Sequence, residues 1–280
     1  MKIQKSFEDN RSKLYLVATP IGNLNEMTPR AVEILKSVDM IAAEDTRVTQ
    51  KLLNHFEINN KMISYHKFNE KESTEGIINL LDQGMDVALV SDAGYPLISD
   101  PGEILVGACV NAGYSVIPVS GSSAFINALV VSGLVTQPFT FMGFLENKEG
   151  ALRRQLESVK DLHHTLIFYL SVHRVEKTIG VMLEVLGNRN VSLARELTKR
   201  HEEIMRGTLN ELSKTELTLK GEFVIVVEGK SEEVVVDYGH LFEVINDSIK
   251  GGMSPSRAIG MVAKEYKVSK NKLYNEYQRK

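Results

Sequence analysis

Short apolar runs and longer amphipathic stretches take turns along the first half of this chain. Runs of four or five residues at 14–18, 40–43, 62–65, 87–90 and 115–119 are each closed by a polar or glycine-containing turn. That length and those boundaries predict buried strands. Between them, 3.6-residue periodicity predicts helices that begin near Thr28-Pro29, run over 48–56 and 73–83, lead from Pro101 to Ala112-Gly113, and run from about Ser122 to Ser132. Thr28 reads as an N-cap with Pro29 in the first helical turn, and Asp100-Pro101 reads the same way. Strands alternating with helices at this spacing predict a parallel, doubly wound sheet.

The texture changes after residue 136. Strands are predicted at 139–144, 165–171, 191–196 and 222–228, with helices at 148–160, 174–186 and 209–217, which reads as a second α/β domain with a mixed sheet. Residues 230–237 are polar and acidic and read as a linker. In the tail, Ser254-Pro255 starts a helix with Ala258, Ile259, Val262 and Ala263 on one face. Lys267-Val268 is a short turn, and Ser269 caps a last helix carrying Leu273, Tyr274 and Tyr277. The pair reads as a helix-turn-helix-like hairpin. The expected fold class is therefore α/β in two domains, 1–136 and 137–230, followed by a small helical domain with its linker at 231–280.

Composition narrows the class. At 43% hydrophobic and 25% charged residues the chain is globular and soluble, with ample core. Its single cysteine, Cys109, sits in an apolar helical stretch, which excludes a disulfide framework and reads as a buried inert thiol. No apolar run is long enough to span a membrane and the start is too polar for a signal peptide, so a cytoplasmic location is expected. The net charge of −3 is uneven: residues 250–280 carry eight Lys/Arg against two acids, a net +6, so the rest sums to −9. A basic tail on an acidic body points to a polyanionic partner, or is simply a lysine-rich solvated face.

Candidate chemistry collects in the loops after the predicted strands: Thr19–Asn23, Glu44–Arg47, His66–Asn69, Ser91–Gly94 and Ser120–Ser123. In a doubly wound sheet these emerge on one edge and can line one crevice. The run Ser91-Asp92-Ala93-Gly94 is the focal one, although alone it reads equally as an ordinary strand-to-helix loop. There is no phosphate-binding P-loop, no G-x-G-x-x-G after the first strand, no zinc spacing and no nucleophile elbow. Glu44 and Asp45 are placed to orient or deprotonate a substrate hydroxyl, or else to cap the following helix. His66 is either a base or a structural histidine. Arg195 and Lys199 either hold a phosphate or developing charge, or form an ion-pair cluster with Glu196. Phe144 borders a pocket or packs in the core.

Seven motifs in register carry a resemblance: TPIGNL (19–24), AAEDTR (42–47), LVSDAG (89–94), ISDPG (98–102), GSSA (121–124), ARELTK (194–199) and GEFV (221–224). Together, across about residues 13–230, they resemble the tetrapyrrole (corrin/porphyrin) methylase family, specifically its ribosomal RNA branch. The resemblance implies the two-domain tetrapyrrole-methylase fold with S-adenosylmethionine in the cleft. It implies methyl transfer to a cytidine ribose 2′-oxygen in the decoding centre of 16S rRNA, within the small ribosomal subunit, by a homodimer. Carried over motif by motif, the cofactor contacts would be Pro20, Asp92, Ala93, Gly94, Ser122, Ser123, Leu170, Leu197, Gly221 and Glu222. No metal is implied. The wider family carries G-x-G-P-G after its first strand where this chain has Thr19-Pro20-Ile21-Gly22-Asn23, which turns the reading away from a tetrapyrrole substrate. Tyr95 stands where the rRNA branch has a threonine, and Ser120 and Ser122 where it has prolines. The competing readings are a precorrin-type C-methyltransferase on the same fold and a non-catalytic RNA-binding ligand sensor.

Overall fold

The computed structural model describes residues 3–8, 11–231, 237–266 and 268–279. Most of the proposed 230–237 linker, and Lys267 and Lys280 of the basic tail, lie outside these residues. The chain divides into two compact units, Met1–Lys230 and Ser231–Lys280.

In the first unit the strands β1 (Lys13–Val17), β2 (Met40–Ala43), β3 (Met62–Ser64), β4 (Val87–Val90) and β5 (Ser115–Val119) form one parallel sheet in the order β3-β2-β4-β1-β5. The helices α1 (Pro29–Ser37), α2 (Thr46–His55), α3 (Glu70–Asp82), α4 (Glu103–Ala112) and α5 (Ala124–Val131) alternate with them. Every residue of β4 is buried, because helices cover both faces of the sheet. Its side chains divide by parity. Ala88 and Val90 join the cluster under α1 and α2, while Val87 and Leu89 join the one holding Ile77, Leu81, Leu105 and Cys109. Cys109 is fully buried, and burial pushes its thiol up to about 12, which leaves it inert.

The strands β6 (Phe139–Phe144), β7 (Thr165–Leu170), β8 (Asn190–Arg195), β9 (Glu203–Thr208) and β10 (Phe223–Val227) form a second, mixed sheet in the order β6-β7-β10-β8-β9, parallel only between β6 and β7. α6 (Glu149–Glu157), α7 (Val175–Leu186) and the single turn α8 (Leu209–Leu212) cover one face. The other face is covered by α5, whose Ala128 and Leu129 pack with Ile167, Ala194 and Val224. A helix that belongs by sequence to the first half thus closes the core of the second.

Three sequence expectations are corrected. α4 does not start at Asp100-Pro101. Its N-cap is Gly102 at φ +141°, whose amide donates to Glu70 Oε1 at 2.9 Å, so the first turn of α3 caps α4 and Asp100 is released for another role. β9 was not expected: it is a half-buried edge strand whose charged residues blur the period-two pattern. The helix expected over 209–217 stops at Leu212, after a capping box between Thr208 and Glu211.

The second unit holds α9 (Tyr238–Lys250), α10 (Pro255–Glu265) and α11 (Lys270–Gln278) around Phe242, Ile245, Ile259, Val262 and Leu273. The Ser254-Pro255 start and the Ser269 cap stand where the sequence put them. The Tyr277 hydroxyl donates to Asn246 Oδ1 at 2.6 Å and ties the last helix to the first.

Candidate active site

The strand order places the carboxyl ends of β1 and β4 side by side, and the connections from these two strands leave toward opposite edges of the sheet. Open α/β sheets form their ligand crevice at such a switch point. The two loops are stitched together by an isolated bridge: Thr19 N donates to Gly94 O at 2.9 Å, and Gly94 N to Thr19 O at 3.0 Å. Gly94 takes φ +81°, which favours glycine.

A cavity of about 540 Å³ opens at this point. One wall is Glu44, Asp92, Ala93, Gly94 and Ser123 from the parallel sheet; the facing wall is Leu170, Gly221 and Glu222 from the mixed sheet, with Tyr169 and Phe144 beside them. Eight of the fourteen residues expected at the site therefore line one cavity: Glu44, Asp92, Ala93, Gly94, Ser123, Leu170, Gly221 and Glu222. Pro20 lines a neighbouring cavity instead. Ser122 turns its hydroxyl away, donating to Glu26 Oε2 at 2.8 Å. Leu197 is buried in the cluster shared with Ile21 and Val224, two residues that do line the cavity, so it supports the wall from behind.

Three acids of the cavity, Glu44, Asp92 and Asp100, share one electrostatic condition. Burial, then the neighbouring Asp92, pushes the Glu44 carboxyl above its ordinary range. Asp92 is raised mainly by burial. Asp100 is pushed up to about 6 by burial and then by the charge of Glu44. Sequence reasoning missed Asp100 as a cavity residue because Asp-Pro-Gly has the look of a helix start. It also missed Tyr169, on a strand face that reads as ordinary core.

The other candidates are already engaged. Asp45 is the N-cap of α2, accepting from Arg47 N at 2.8 Å, and is paired with the Arg47 guanidinium at 2.6 Å. That pairing holds its carboxyl far below the ordinary range. Arg195 donates to Glu203 at 2.8 Å across β8 and β9. Lys199 is clasped between Glu196 at 2.7 Å and Glu222 at 2.9 Å. Its stem lies where a Cβ on Gly22 would be, and Glu196 lies where one on Gly221 would be. His66 is outside the cavity, its buried Nδ1 without a hydrogen-bond partner, and the neighbouring Phe68 is 96% exposed. No group of acids, histidines or cysteines among the described residues is arranged to hold a metal ion.

The three departures from the rRNA-branch motifs leave the loops tied down. The Tyr95 hydroxyl accepts from Gly121 N at 3.2 Å, Ser120 O accepts from Thr28 Oγ1 at 3.3 Å, and Ser122 holds Glu26.

The sequence model of the Tetrapyrrole (Corrin/Porphyrin) Methylases matches residues 13–213, which hold the whole parallel sheet and every strand of the mixed sheet except β10. The chain belongs to this family. It is 47% identical to "Ribosomal RNA small subunit methyltransferase I" of Halalkalibacterium halodurans, over 99% of each chain. It is 43% identical to the protein of the same name from Bacillus subtilis, over 94% of this chain and 93% of that one. Among solved structures, a diphthine synthase superposes with a TM-score of 0.61 at 14% identity, covering 79% of this chain and 91% of that one, a likeness of fold.

Methyltransferases of the tetrapyrrole methylase family use S-adenosylmethionine. The cavity fits such a cofactor on its own chemistry. Glu44, Asp92 and Asp100 face it with raised pKa values, a condition that a cation relieves, and the cofactor carries a sulfonium and an ammonium. The rings of Tyr169 and Phe144, 5.2 Å apart, add aromatic surface that is favourable to a cation and to a flat heterocycle.

Proposed function

We propose that this chain is an S-adenosylmethionine-dependent methyltransferase of small-subunit ribosomal RNA, with the 2′-oxygen of a cytidine ribose in the 16S decoding centre as acceptor. The observation that carries the rRNA part of this reading is identity of 43–47% with proteins named as small-subunit ribosomal RNA methyltransferases, over 93–99% of both chains. The match therefore extends past the family's residues 13–213 into the basic helical tail.

When bound, the cofactor supplies a methyl group on positively charged sulfur. Asp92 and Asp100 provide the negative field that holds this charge, and the Ala93-Gly94 backbone and Ser123 supply polar contacts at the loop. Leu170, Gly221 and Glu222 close the opposite wall, with Leu197 behind it and Pro20 and Ser122 shaping the loops at its edge. The acceptor hydroxyl is a weak nucleophile. It needs alignment within about 3–3.5 Å of the methyl carbon and a group to take its proton. Glu44 is that group in our reading: it is at the cavity and its raised pKa makes it a stronger base than an ordinary carboxylate. Asp45 serves as the cap that fixes the Glu44 loop. Arg195 and Lys199 work through their ion pairs, holding the second wall rather than substrate phosphate.

We also infer three working parts, 1–136, 137–230 and 231–280, with the last, basic one adding RNA affinity. We infer a cytoplasmic homodimer; no helix among the described residues is long and apolar enough to cross a membrane. The exposed Val130 and Val135 offer apolar surface for self-association, and light scattering tests the dimer.

The test is transfer of labelled methyl groups to 30S subunits that lack the modification, with alkaline mapping of the product. Label at a single alkali-resistant cytidine linkage is the expected result. Absence of label from RNA, with cofactor binding intact by calorimetry, would overturn the rRNA reading and return the acceptor to a small molecule.

A further inference from the structure

Beside the cofactor cavity lies a second, smaller one of about 220 Å³, and Asp92 lines both. Its walls are Pro20 and Leu24 from the loop after β1, and Val48 and Leu52 from α2, with Lys51 also lining it. We propose that this second cavity receives the acceptor nucleotide, its base flanked by Leu24 and Val48 and its phosphate met by Lys51. The proposal deepens the methyltransferase reading and rests on it.

A transfer reaction needs donor and acceptor pockets that meet at one point. The two cavities meet at Asp92, whose amide nitrogen is 3.5 Å from the Glu44 carboxylate, the group proposed as base. Enzymes that act on one nucleotide of a structured RNA hold it out of its stack in a fitted pocket. A cavity of this volume has room for one nucleoside-sized group.

Leu24 and Val48 are 39% and 38% exposed, an unusual condition for apolar side chains in a concave wall, and one that a nucleobase face would cover. The charge of the two cavities also differs. The first is lined by Glu44, Asp92, Asp100 and Glu222, a set that repels a polyanion. The second has Asp92 as its only lining acid and Lys51 as a cation. One turn earlier on α2, Arg47 is paired with Asp45, whereas Lys51 has no ion-pair partner among the described residues. A lysine left unpaired at a cavity, in a chain whose first 249 residues sum to −9, is suited to a phosphate.

Three variants on the full chain test this: Val48→Trp, Lys51→Ala and Lys51→Arg. Each is compared with the parent for cofactor binding by calorimetry, melting temperature, and kcat and KM for methyl transfer to unmodified 30S subunits. Val48→Trp fills the cavity. It is expected to bind S-adenosylmethionine within about twofold of the parent while kcat/KM falls roughly 100-fold, since misplacing the reacting groups by an ångström has that scale of effect. Lys51→Ala is expected to raise KM about tenfold at unchanged kcat, and Lys51→Arg to restore it, as loss of one charge-assisted phosphate contact would do. A folded Val48→Trp chain with parental kcat/KM overturns the proposal. If Val48→Trp does not fold, the lysine pair decides, and an unchanged KM in Lys51→Ala overturns it. A parent that transfers no methyl group to 30S subunits defeats the rRNA reading itself, and that failure is seen before any variant is made.

Discussion

The two sides of the cofactor cavity treat their acids in opposite ways. On the parallel-sheet side, Glu44, Asp92 and Asp100 have pKa values raised chiefly by burial. On the mixed-sheet side, Glu196 and Glu222 are tied to Lys199, and Glu196 is lowered by that contact. Backbone strain is present on both walls: on the first, Leu97 and Ser99 each sit at φ +72°. On the second, Glu196 and Thr198 sit at φ +51° and +68°, conformations that side chains with a Cβ seldom adopt. Two carboxylates neutralised by one shared lysine describe a clasp. Charge held at a cavity by hydrogen bonds, with no ion-pair partner among the described residues, describes a place prepared for a cation. The contrast assigns chemistry to the first wall and architecture to the second.

The largest effect expected from breaking the contrast is on Glu44. Glu44→Gln keeps the shape and removes the proton acceptor. Single-turnover methyl transfer should fall by roughly 10²–10⁴, the usual contribution of a general base, while cofactor affinity changes little. Full activity in Glu44→Gln would move the base elsewhere.

The next effect falls on the clasp, in folding rather than chemistry. Gly221 has φ +86°, and a Cβ there would overlap the Glu196 carboxylate. Gly221→Ala should therefore lower unfolding free energy by about 2 kcal/mol, through the strained backbone and the displaced ion pair. Urea unfolding measures it, and an unchanged midpoint would mean that Glu196 moves aside freely.

Much of this arrangement was legible before any coordinates. Val87–Val90 stood out because a strand buried on both faces is a continuous apolar run, and the loop that ends it had to reach the carboxyl edge of the sheet. Glu44, Asp92, Ala93, Gly94 and Ser123 were found in one cavity because parallel connectivity places their loops on one edge. What stayed hidden depends on partners distant in sequence. Asp100 resembles a helix cap until Glu70, thirty residues earlier, is seen to hold the Gly102 amide. Lys199 stays open between a phosphate contact and an ion-pair cluster until Glu222, the residue before β10, is seen to hold it from a second side. Glu203–Thr208 escaped because an edge strand keeps charge on a face that an inner strand would fill with apolar residues.

Asp100 and Glu196 sharpen the contrast by the sign of their pH dependence. Asp100 titrates at about 6 in the fold and near 3.8 when unfolded, so the native state holds the extra proton between those values. Stability falls as pH rises through that window, and the whole penalty is present above it. Asp100→Asn should thus stabilise the cofactor-free protein by about 1 kcal/mol at pH 7.5, solvent screening reducing the effect, and the gain should vanish below pH 4. Glu196 is lowered, so its contribution is present above its unfolded pKa and lost as pH falls through its lower folded one. Glu196→Gln should accordingly destabilise at neutral pH, with the deficit fading in acid. Thermal melts across pH 3–8 read both; the same sign for the two variants at neutral pH would erase the distinction between the walls.

The smallest expected effect is at Lys199, and it is also the most discriminating. Lys199→Met keeps a straight apolar stem over Gly22 and removes only the charge. Glu196 still accepts from Glu222 N at 3.1 Å, so one carboxylate keeps a partner, and the exposed side of Glu222 is stabilised by water. The lost ion pairs are partly solvated, and such pairs are worth about 1 kcal/mol or less. Methyl transfer should stay within about threefold of the parent, with KM for 30S subunits unchanged, because a clasp acts through wall geometry that the stem preserves. A tenfold rise in that KM, suppressed by added salt, would instead make Lys199 a phosphate contact. It would also show that the clasp opens on RNA and that the two walls differ less than their resting charges indicate.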